Sequence, residues 1–168
     1  MEFNKSTVLT KLSVHDIERL ICGHYDIRKH IIVPNVSWGF FREHEADVVV
    51  ITKANYLTEI EIKRSWHDFL KDFRKDSYHS DNRIKSFYYC VPECMAQHCL
   101  DFIDNLDPKF EMQCGGIGLM YFTEDGRLYE RRGYAKSTAF PLTPREVVDT
   151  YFISTTLGSI KYAIVTGS

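Results

Sequence analysis

Two acidic residues and a lysine lie on two predicted neighbouring strands, and these residue types can bind a divalent cation and a phosphate. Asp47 begins a β-branched run, 46–52, that is typical of a buried strand. A short turn follows, and 57–63 forms the next strand, so the chain predicts a hairpin. Because side chains alternate across a strand, Glu61 and Lys63 share one face. The hairpin then brings Asp47 level with that end of the second strand.

This group of residues suits metal-assisted hydrolysis of a phosphodiester. Mg²⁺ prefers oxygen ligands, and a bound cation activates water and neutralises charge on phosphate oxygens. We therefore predict Asp47 and Glu61 as metal ligands, the carbonyl of Ile62 as a third oxygen, and Lys63 as the group that acts on the water or the phosphate. The alternative is a solvent-exposed strand face with an ordinary Glu–Lys ion pair, and spacing alone favours that alternative.

Several polar residues near this group leave two interpretations open. Glu59 is either a second metal ligand or a solvated neighbour, and we favour the second. Ser65 either contacts phosphate or starts the next helix, and we favour the helix start. His44 and His67 are close enough in sequence to reach the site, but a polar histidine in a loop is the more common case.

A single domain, 1–168, has to position these residues. The chain has 168 residues, of which 44% are hydrophobic and 26% charged, and it contains no repeat or linker-like segment. The order of predicted elements is helix, three strands, helix, strand, helix, hairpin, helix, which indicates an α/β fold with a mixed central sheet flanked by helices. The predicted segments are 13–23, 30–38, 46–52, 57–63, 67–75, 86–91, 95–106, 117–122, 127–131 and 143–157.

Local signals support several of these bounds. Ser13 and Asp16 have the spacing of a capping box, and Thr143 is followed by proline and then glutamate in a strong helix start. Pro34 predicts an edge or bulged strand. The Asp-Gly pair at 125–126 predicts a hairpin turn.

The order of these motifs resembles the PD-(D/E)XK, or restriction-endonuclease-like, nuclease superfamily. An acid at the head of one strand and Glu-x-Lys on the next is the pattern of that core, although Ala46 stands where the superfamily pattern has proline. The Glu-Ile-Lys strand, the Asp-Phe-rich helix at 68–76 and the aromatic strand ending at Pro92 are similar in order to the MmcB-like DNA-repair branch. A glycine-led hairpin, 116–128, extends the resemblance, which covers roughly 13–132.

The resemblance implies a Mg²⁺- or Mn²⁺-dependent DNA endonuclease or DNA-repair nuclease with a restriction-endonuclease-like core. In that interpretation Asp47, Glu61 and Lys63 are catalytic. Glu18 resembles the helix-borne acid that many members place near the metal, and its alternative is a surface glutamate on an amphipathic helix. The runner-up function is a catalytically inactive nucleic-acid-binding or adaptor module on the same fold.

Positive charge follows the predicted core. Phosphate contacts are predicted for Arg64, Lys71, Arg74 and Lys75. Acidic residues at 68, 72 and 76 interleave with them, so the alternative is a solvated helix face with ordinary ion pairs. The net charge of −2 excludes a strongly basic nucleic-acid coat protein and favours help from repair or phage partner proteins. Dimers are common among nucleases of this kind, so a homodimer is left open.

The sequence also predicts a cytoplasmic protein with no membrane contact. No run approaches the ~18 apolar residues of a membrane helix, and the N-terminus lacks the layout of a secretion signal. The five cysteines are odd in number and irregularly spaced, which favours reduced thiols over a disulfide framework.

Overall fold

The computed structural model describes residues 7–36, 40–41, 44–74, 79, 81–110, 116–136 and 138–152, with the side chains of 151–152 left aside. These residues form both helices and strands. In chain order they are α1 (Val14–His24), β1 (Ile31–Val36), β2 (Ala46–Ile51), β3 (Leu57–Ile62), α2 (Trp66–Asp72), β4 (Ile84–Pro92), α3 (Glu93–Asp104), β5 (Gly118–Phe122), β6 (Leu128–Arg132) and α4 (Pro144–Phe152).

The strands form one six-stranded mixed sheet in the order β1-β2-β3-β4-β5-β6. The first three strands are an antiparallel meander, β4 and β5 run parallel to β3, and β6 closes the sheet as an antiparallel partner of β5. The predicted α/β fold with a mixed central sheet is therefore confirmed. The predicted hairpin of β2 with β3, the β5–β6 hairpin and the edge position of the strand containing Pro34 are also observed.

Helices cover both faces of the sheet, so the molecule has three layers. On one face Ile17 and Ile21 of α1 pack against Val48, Val50 and Ile60, all of which are buried. The other face packs against α2 and α3 and carries the larger aromatic core, with partly buried residues of α4 at its rim. Because neighbouring residues of a strand alternate between these layers, the acids of β3 point into the second core.

Helix starts follow the predicted capping signals closely. The Ser13 side chain accepts a hydrogen bond from the backbone N–H of Asp16, and the Asp16 carboxylate accepts one in return from the N–H of Ser13. Thr143 and Glu146 cap the start of α4 in the same reciprocal way. Ser65 accepts from the N–H of Asp68 at 3.2 Å, which makes it the N-cap of α2, as favoured from the sequence.

Helix ends differ more from expectation. The helix predicted at 67–75 is observed as Trp66–Asp72, and Lys75 lies outside the described residues. The helix predicted at 95–106 is observed two residues earlier, since α3 follows Pro92 directly. The predicted extension of the last helix to 157 lies outside the described residues beyond 152. Within the described part of the chain, no helix has the length and apolar character needed to cross a bilayer.

Candidate functional site

The β2–β3 hairpin brings the two predicted metal ligands together. Val48 pairs with Ile60, so one residue further along the register Asp47 lies opposite Glu61. The backbone N–H of Ile62 donates to Asp47 Oδ2 at 2.8 Å, and the N–H of Asp47 is 3.4 Å from Glu61 Oε1. The two carboxylates therefore occupy one corner of the sheet, on the face that packs against α2 and α3.

Lys63 continues from the end of β3 into the same corner. Its Nζ lies 3.4 Å from Glu61 Oε2 and 2.9 Å from Asp72 Oδ2, and its side chain is only 11% exposed. Asp72 is the last residue of α2, and its carboxylate also accepts a hydrogen bond from the Tyr89 hydroxyl at 3.2 Å. The structure thus brings together the three residues predicted to be catalytic, and it adds a buried aspartate that holds the lysine.

Glu59 lies two residues before Glu61 on β3, and it is fully buried between two histidines. Its Oε2 is 2.9 Å from His44 Nε2, and its Oε1 is 2.8 Å from His79 Nδ1. Because a carboxylate only accepts hydrogen bonds, both histidine nitrogens act as donors. The favoured interpretation of Glu59 as a solvated neighbour is wrong, because its exposed fraction is 0%.

His79 connects the two parts of the site. Its Nδ1 faces Glu59, while its Nε2 lies 3.6 Å from Asp72 Oδ2. We call this connected set the buried charge cluster; its members are His44, Asp47, Glu59, Glu61, Lys63, Asp72 and His79. Two triplets within it have ligand-type atoms that all lie within 4.8 Å of one another, namely His44–Glu59–His79 and Glu61–Asp72–His79.

The two opposed acids have raised pKa values. Burial raises the pKa of Glu61 well above its usual value, and the charge of Asp47 raises it further, while His79 and Lys63 oppose the shift. Burial also raises the pKa of Asp47, although the ammonium of Lys63 and the hydrogen bond from Ile62 lower it. Asp47 is half-buried as a residue, whereas Glu61 is buried.

The other charges of the cluster are held in their ionised forms. Burial alone would raise the pKa of Glu59, but the charge of His79 and the hydrogen bonds from both histidines outweigh it and bring the pKa to about 2. Burial opposes the charge of His79, yet Glu59 and Asp72 raise its pKa to about 10. The pKa of Lys63 is likewise raised, because the charges of Glu61, Asp72 and Asp47 outweigh its burial.

The remaining predicted contact residues lie outside this cluster. Glu18 is buried on α1, on the opposite face of the sheet, where its carboxylate is 3.0 Å from His15 Nδ1. Lys71 and Arg74 are exposed at the end of α2, and Lys71 lies 3.8 Å from Asp68 in an ordinary helix ion pair. Arg64 is half-buried, and its Nε has no hydrogen-bond partner among the described residues. Glu18 is therefore separated by the sheet from the predicted metal ligands, and its alternative as a surface glutamate is wrong as well. The assignment of Arg64, Lys71 and Arg74 to DNA contacts stays a prediction.

Sequence reasoning missed Asp72 and His79. The alternative of a solvated helix face includes Asp72, and for this residue it is wrong, because Asp72 is only 1% exposed. A signal for it existed, since Asp72 lies three residues after the buried Phe69 and thus on the apolar side of α2. His79 follows α2 in a stretch without a recognisable motif, so nothing in the sequence pointed to it. For His44 the sequence favours a polar position in a loop, but the structure places it in the cluster, 2.9 Å from Glu59 and only 9% exposed.

Comparison with known proteins supports the fold alone. No protein-family model and no curated protein matches the chain. A similar solved structure is the SPO1766 protein of unknown function from Silicibacter pomeroyi, with 15% sequence identity and a TM-score of 0.54. The match covers 96% of this chain and 90% of that protein. The two chains therefore share their overall architecture along nearly their whole lengths.

Proposed function

We propose that the protein is a divalent-metal-dependent phosphodiesterase that acts on DNA, built on a restriction-endonuclease-like core. The observation that carries the proposal is the cross-strand placement of Asp47 opposite Glu61 with the ammonium of Lys63 beside them. Two carboxylates that can hold a divalent cation, with one ammonium beside them, form a group that suits phosphodiester hydrolysis.

The residues present fit a hard divalent cation. Asp47 and Glu61 would hold it, with the Ile62 carbonyl as a further oxygen, and oxygen ligands are those that Mg²⁺ and Mn²⁺ prefer. Burial raises the pKa values of both acids, and a dication bound between them would favour their ionised forms. When bound, such a cation activates a water molecule and neutralises charge on the phosphate oxygens.

Lys63 is positioned to act beside these acids. Its ammonium is held between Glu61 and Asp72, and its raised pKa keeps it charged at neutral pH. A charged ammonium donates hydrogen bonds and cannot accept a proton, so its role would be to orient a phosphate oxygen or the attacking water. Asp72 would act as a positioning residue, because it fixes the lysine from α2.

The substrate would approach from the side of α2. Lys71 and Arg74 are exposed there, immediately next to the residue of α2 that enters the site. Contacts from such side chains to phosphates are independent of sequence and weaken with added salt. We therefore expect binding through these residues to be weak for the protein alone, in agreement with its net charge of −2. We also propose a cytoplasmic location and binding to repair or phage partner proteins, and we leave a homodimer open.

A nicking assay tests the activity. The full chain is incubated with supercoiled plasmid in Mg²⁺ or Mn²⁺, with a chelator as the blank, and linear, branched and single-stranded DNA are compared in parallel. Asp47→Asn is the main variant because it keeps the size of a half-buried side chain; Asp101→Asn, an exposed site on α3, makes the same chemical change elsewhere. Cleavage that needs the metal, falls at least about 100-fold in Asp47→Asn and survives in Asp101→Asn supports the proposal. Equal cleavage by both variants refutes it.

A second candidate is a catalytically inactive nucleic-acid-binding or adaptor module. One observation favours it. The ammonium of Lys63 forms ion pairs with two buried acids, Glu61 and Asp72, and only 11% of the lysine side chain is exposed. A Mn²⁺ titration distinguishes the two candidates. A nuclease is expected to bind Mn²⁺ in a manner that Asp47→Asn removes, whereas an inactive module would bind DNA without that metal dependence.

A further inference from the structure

We propose a second metal site in this protein, formed by His44, Glu59 and His79 and suited to Zn²⁺. It uses none of the residues assigned to the Asp47–Glu61 pair. It therefore does not rest on the proposed nuclease activity, and it can be tested without DNA.

The geometry already places three ligand atoms around one carboxylate. His44 Nε2 is 2.9 Å from one oxygen of Glu59, and His79 Nδ1 is 2.8 Å from the other. The ligand atoms of all three residues lie within 4.8 Å of one another. In a tetrahedral zinc site with bonds of 2.0–2.2 Å, neighbouring ligand atoms stand roughly 3.3 Å apart. To reach that spacing, the two hydrogen-bonded separations of 2.8 and 2.9 Å would lengthen by about half an ångström, and a separation near the 4.8 Å limit would shorten by about 1.5 Å.

Neighbouring side chains hold both imidazoles in place. The second ring nitrogen of His79, Nε2, faces the Asp72 carboxylate at 3.6 Å. A carboxylate behind a histidine ligand fixes its ring and increases its basicity, and this arrangement recurs at zinc sites. His44 is held by its ring stacking on Phe41, with centroids 4.5 Å apart, and the rings of His79 and Phe87 are 4.2 Å apart.

The donor set selects the type of ion. Two imidazoles and one carboxylate suit zinc or a similar first-row transition metal, whereas Mg²⁺ prefers oxygen ligands alone. Burial points to a closed site, because Glu59 is 0% and His79 only 3% exposed. His44, at 9%, is the most exposed of the three ligands. A closed site of this kind would stabilise the fold, because it would fasten His79 to β3, the strand that carries Glu61.

The experiment measures Zn²⁺ binding by the full, chelator-treated chain. Calorimetry is expected to give one tight Zn²⁺ per chain, and Zn²⁺ is expected to raise the melting temperature. His44→Gln keeps the reach of Nε2 but is a poor ligand, so it should bind Zn²⁺ at least about 100-fold more weakly. Three variants serve as controls and should bind Zn²⁺ like the parent: His15→Gln and Cys94→Ser at exposed positions, and Asp47→Asn in the neighbouring acid pair.

Co²⁺ provides a second readout that does not depend on a variant folding. Replacing Zn²⁺ by Co²⁺ in the parent chain should give visible absorption of a nitrogen- and oxygen-ligated ion, without the intense near-ultraviolet band of a thiolate ligand. The inference is overturned if the parent binds no Zn²⁺, if His44→Gln binds it unchanged, or if Cys94→Ser abolishes binding. A parent chain that binds Zn²⁺ but does not nick plasmid DNA in Mg²⁺ or Mn²⁺ would reject the proposed function and leave this site standing.

Discussion

Replacing Lys63 by Met should reveal how strongly the buried charge cluster depends on its ammonium. The Nζ atom lies 2.9 Å from Asp72 and 3.4 Å from Glu61, and none of the three side chains is more than 11% exposed. Removing one partner of a buried ion pair costs about 3–5 kcal/mol, because the remaining charge is left uncompensated. For a chain of this length, each kcal/mol lowers the melting temperature by roughly 2–4 °C. We therefore expect Lys63→Met to melt about 6–20 °C below the parent.

Thermal and urea unfolding followed by circular dichroism would measure this loss. The matched control is Lys71→Met. In the parent chain the ammonium of Lys71 lies 3.8 Å from Asp68 in an exposed ion pair on α2. Exposed pairs contribute at most about 1 kcal/mol, so this variant should be close to the parent. Adding Asp72→Asn to Lys63→Met removes one uncompensated charge, and the double-mutant cycle should show a coupling of roughly 1–3 kcal/mol.

Two outcomes would refute this reasoning. If Lys63→Met lost no more stability than Lys71→Met, the ammonium of Lys63 would have to be solvated in the folded protein. If Asp72→Asn destabilised the parent and Lys63→Met equally, the two side chains would be energetically independent despite their distance of 2.9 Å. Either result would also remove the proposed role of Asp72 in positioning the lysine.

Three further predictions concern other parts of the fold. Burial raises the pKa of Asp81, but its hydrogen bonds with Arg83 outweigh burial, so the pKa lies below its usual value. The stability that the ionised Asp81 gains from Arg83 is therefore fully present above about pH 4, the pKa of an aspartate in the unfolded chain. It is lost as the pH falls through the lowered pKa of the folded protein. The melting-temperature deficit of Arg83→Gln should therefore shrink between pH 7 and pH 2.5, and a deficit that is constant with pH would contradict this. Gly118→Ala would place a Cβ atom 2.5 Å from the Tyr88 ring and should cost about 1–3 kcal/mol in urea unfolding. Gly23→Ala, in α1 with nothing within 4 Å of the new atom, should instead gain about 0.5–1 kcal/mol, so a shared sign for the two alanine variants would show that local space does not decide these effects.

The parts of the site that the sequence predicted are those fixed by local geometry. A short turn and a strict alternation of side chains determine that Asp47 comes level with Glu61, and the observed register agrees. The same holds for the capped start of α1, the edge strand containing Pro34 and the hairpin turn with Gly126 at φ 88°. In each case the deciding interaction joins residues that are close in sequence.

The parts that the sequence did not predict depend on which elements pack over the sheet. The alternating pattern around Glu59 is the same whether its strand face is solvated or covered. Glu59 is buried because His79 and α2 pack over that face. β4 runs parallel to β3 and places Tyr89 beside Glu61, and the Tyr89 hydroxyl donates to the Asp72 carboxylate that contacts Lys63. Such contacts join elements whose relative placement no local rule determines.

The charge balance of the cluster limits what the site can be. Four carboxylates (Asp47, Glu59, Glu61 and Asp72) face two side chains that are held positive, Lys63 and His79. A buried excess of negative charge is costly, so it must be relieved either by protons on the acids or by a bound cation. The raised pKa values of Asp47 and Glu61 favour protons on these two acids. A divalent cation would compete with those protons, so its affinity should weaken as the pH is lowered, and a metal affinity unaffected by pH would show that these two acids are not its ligands.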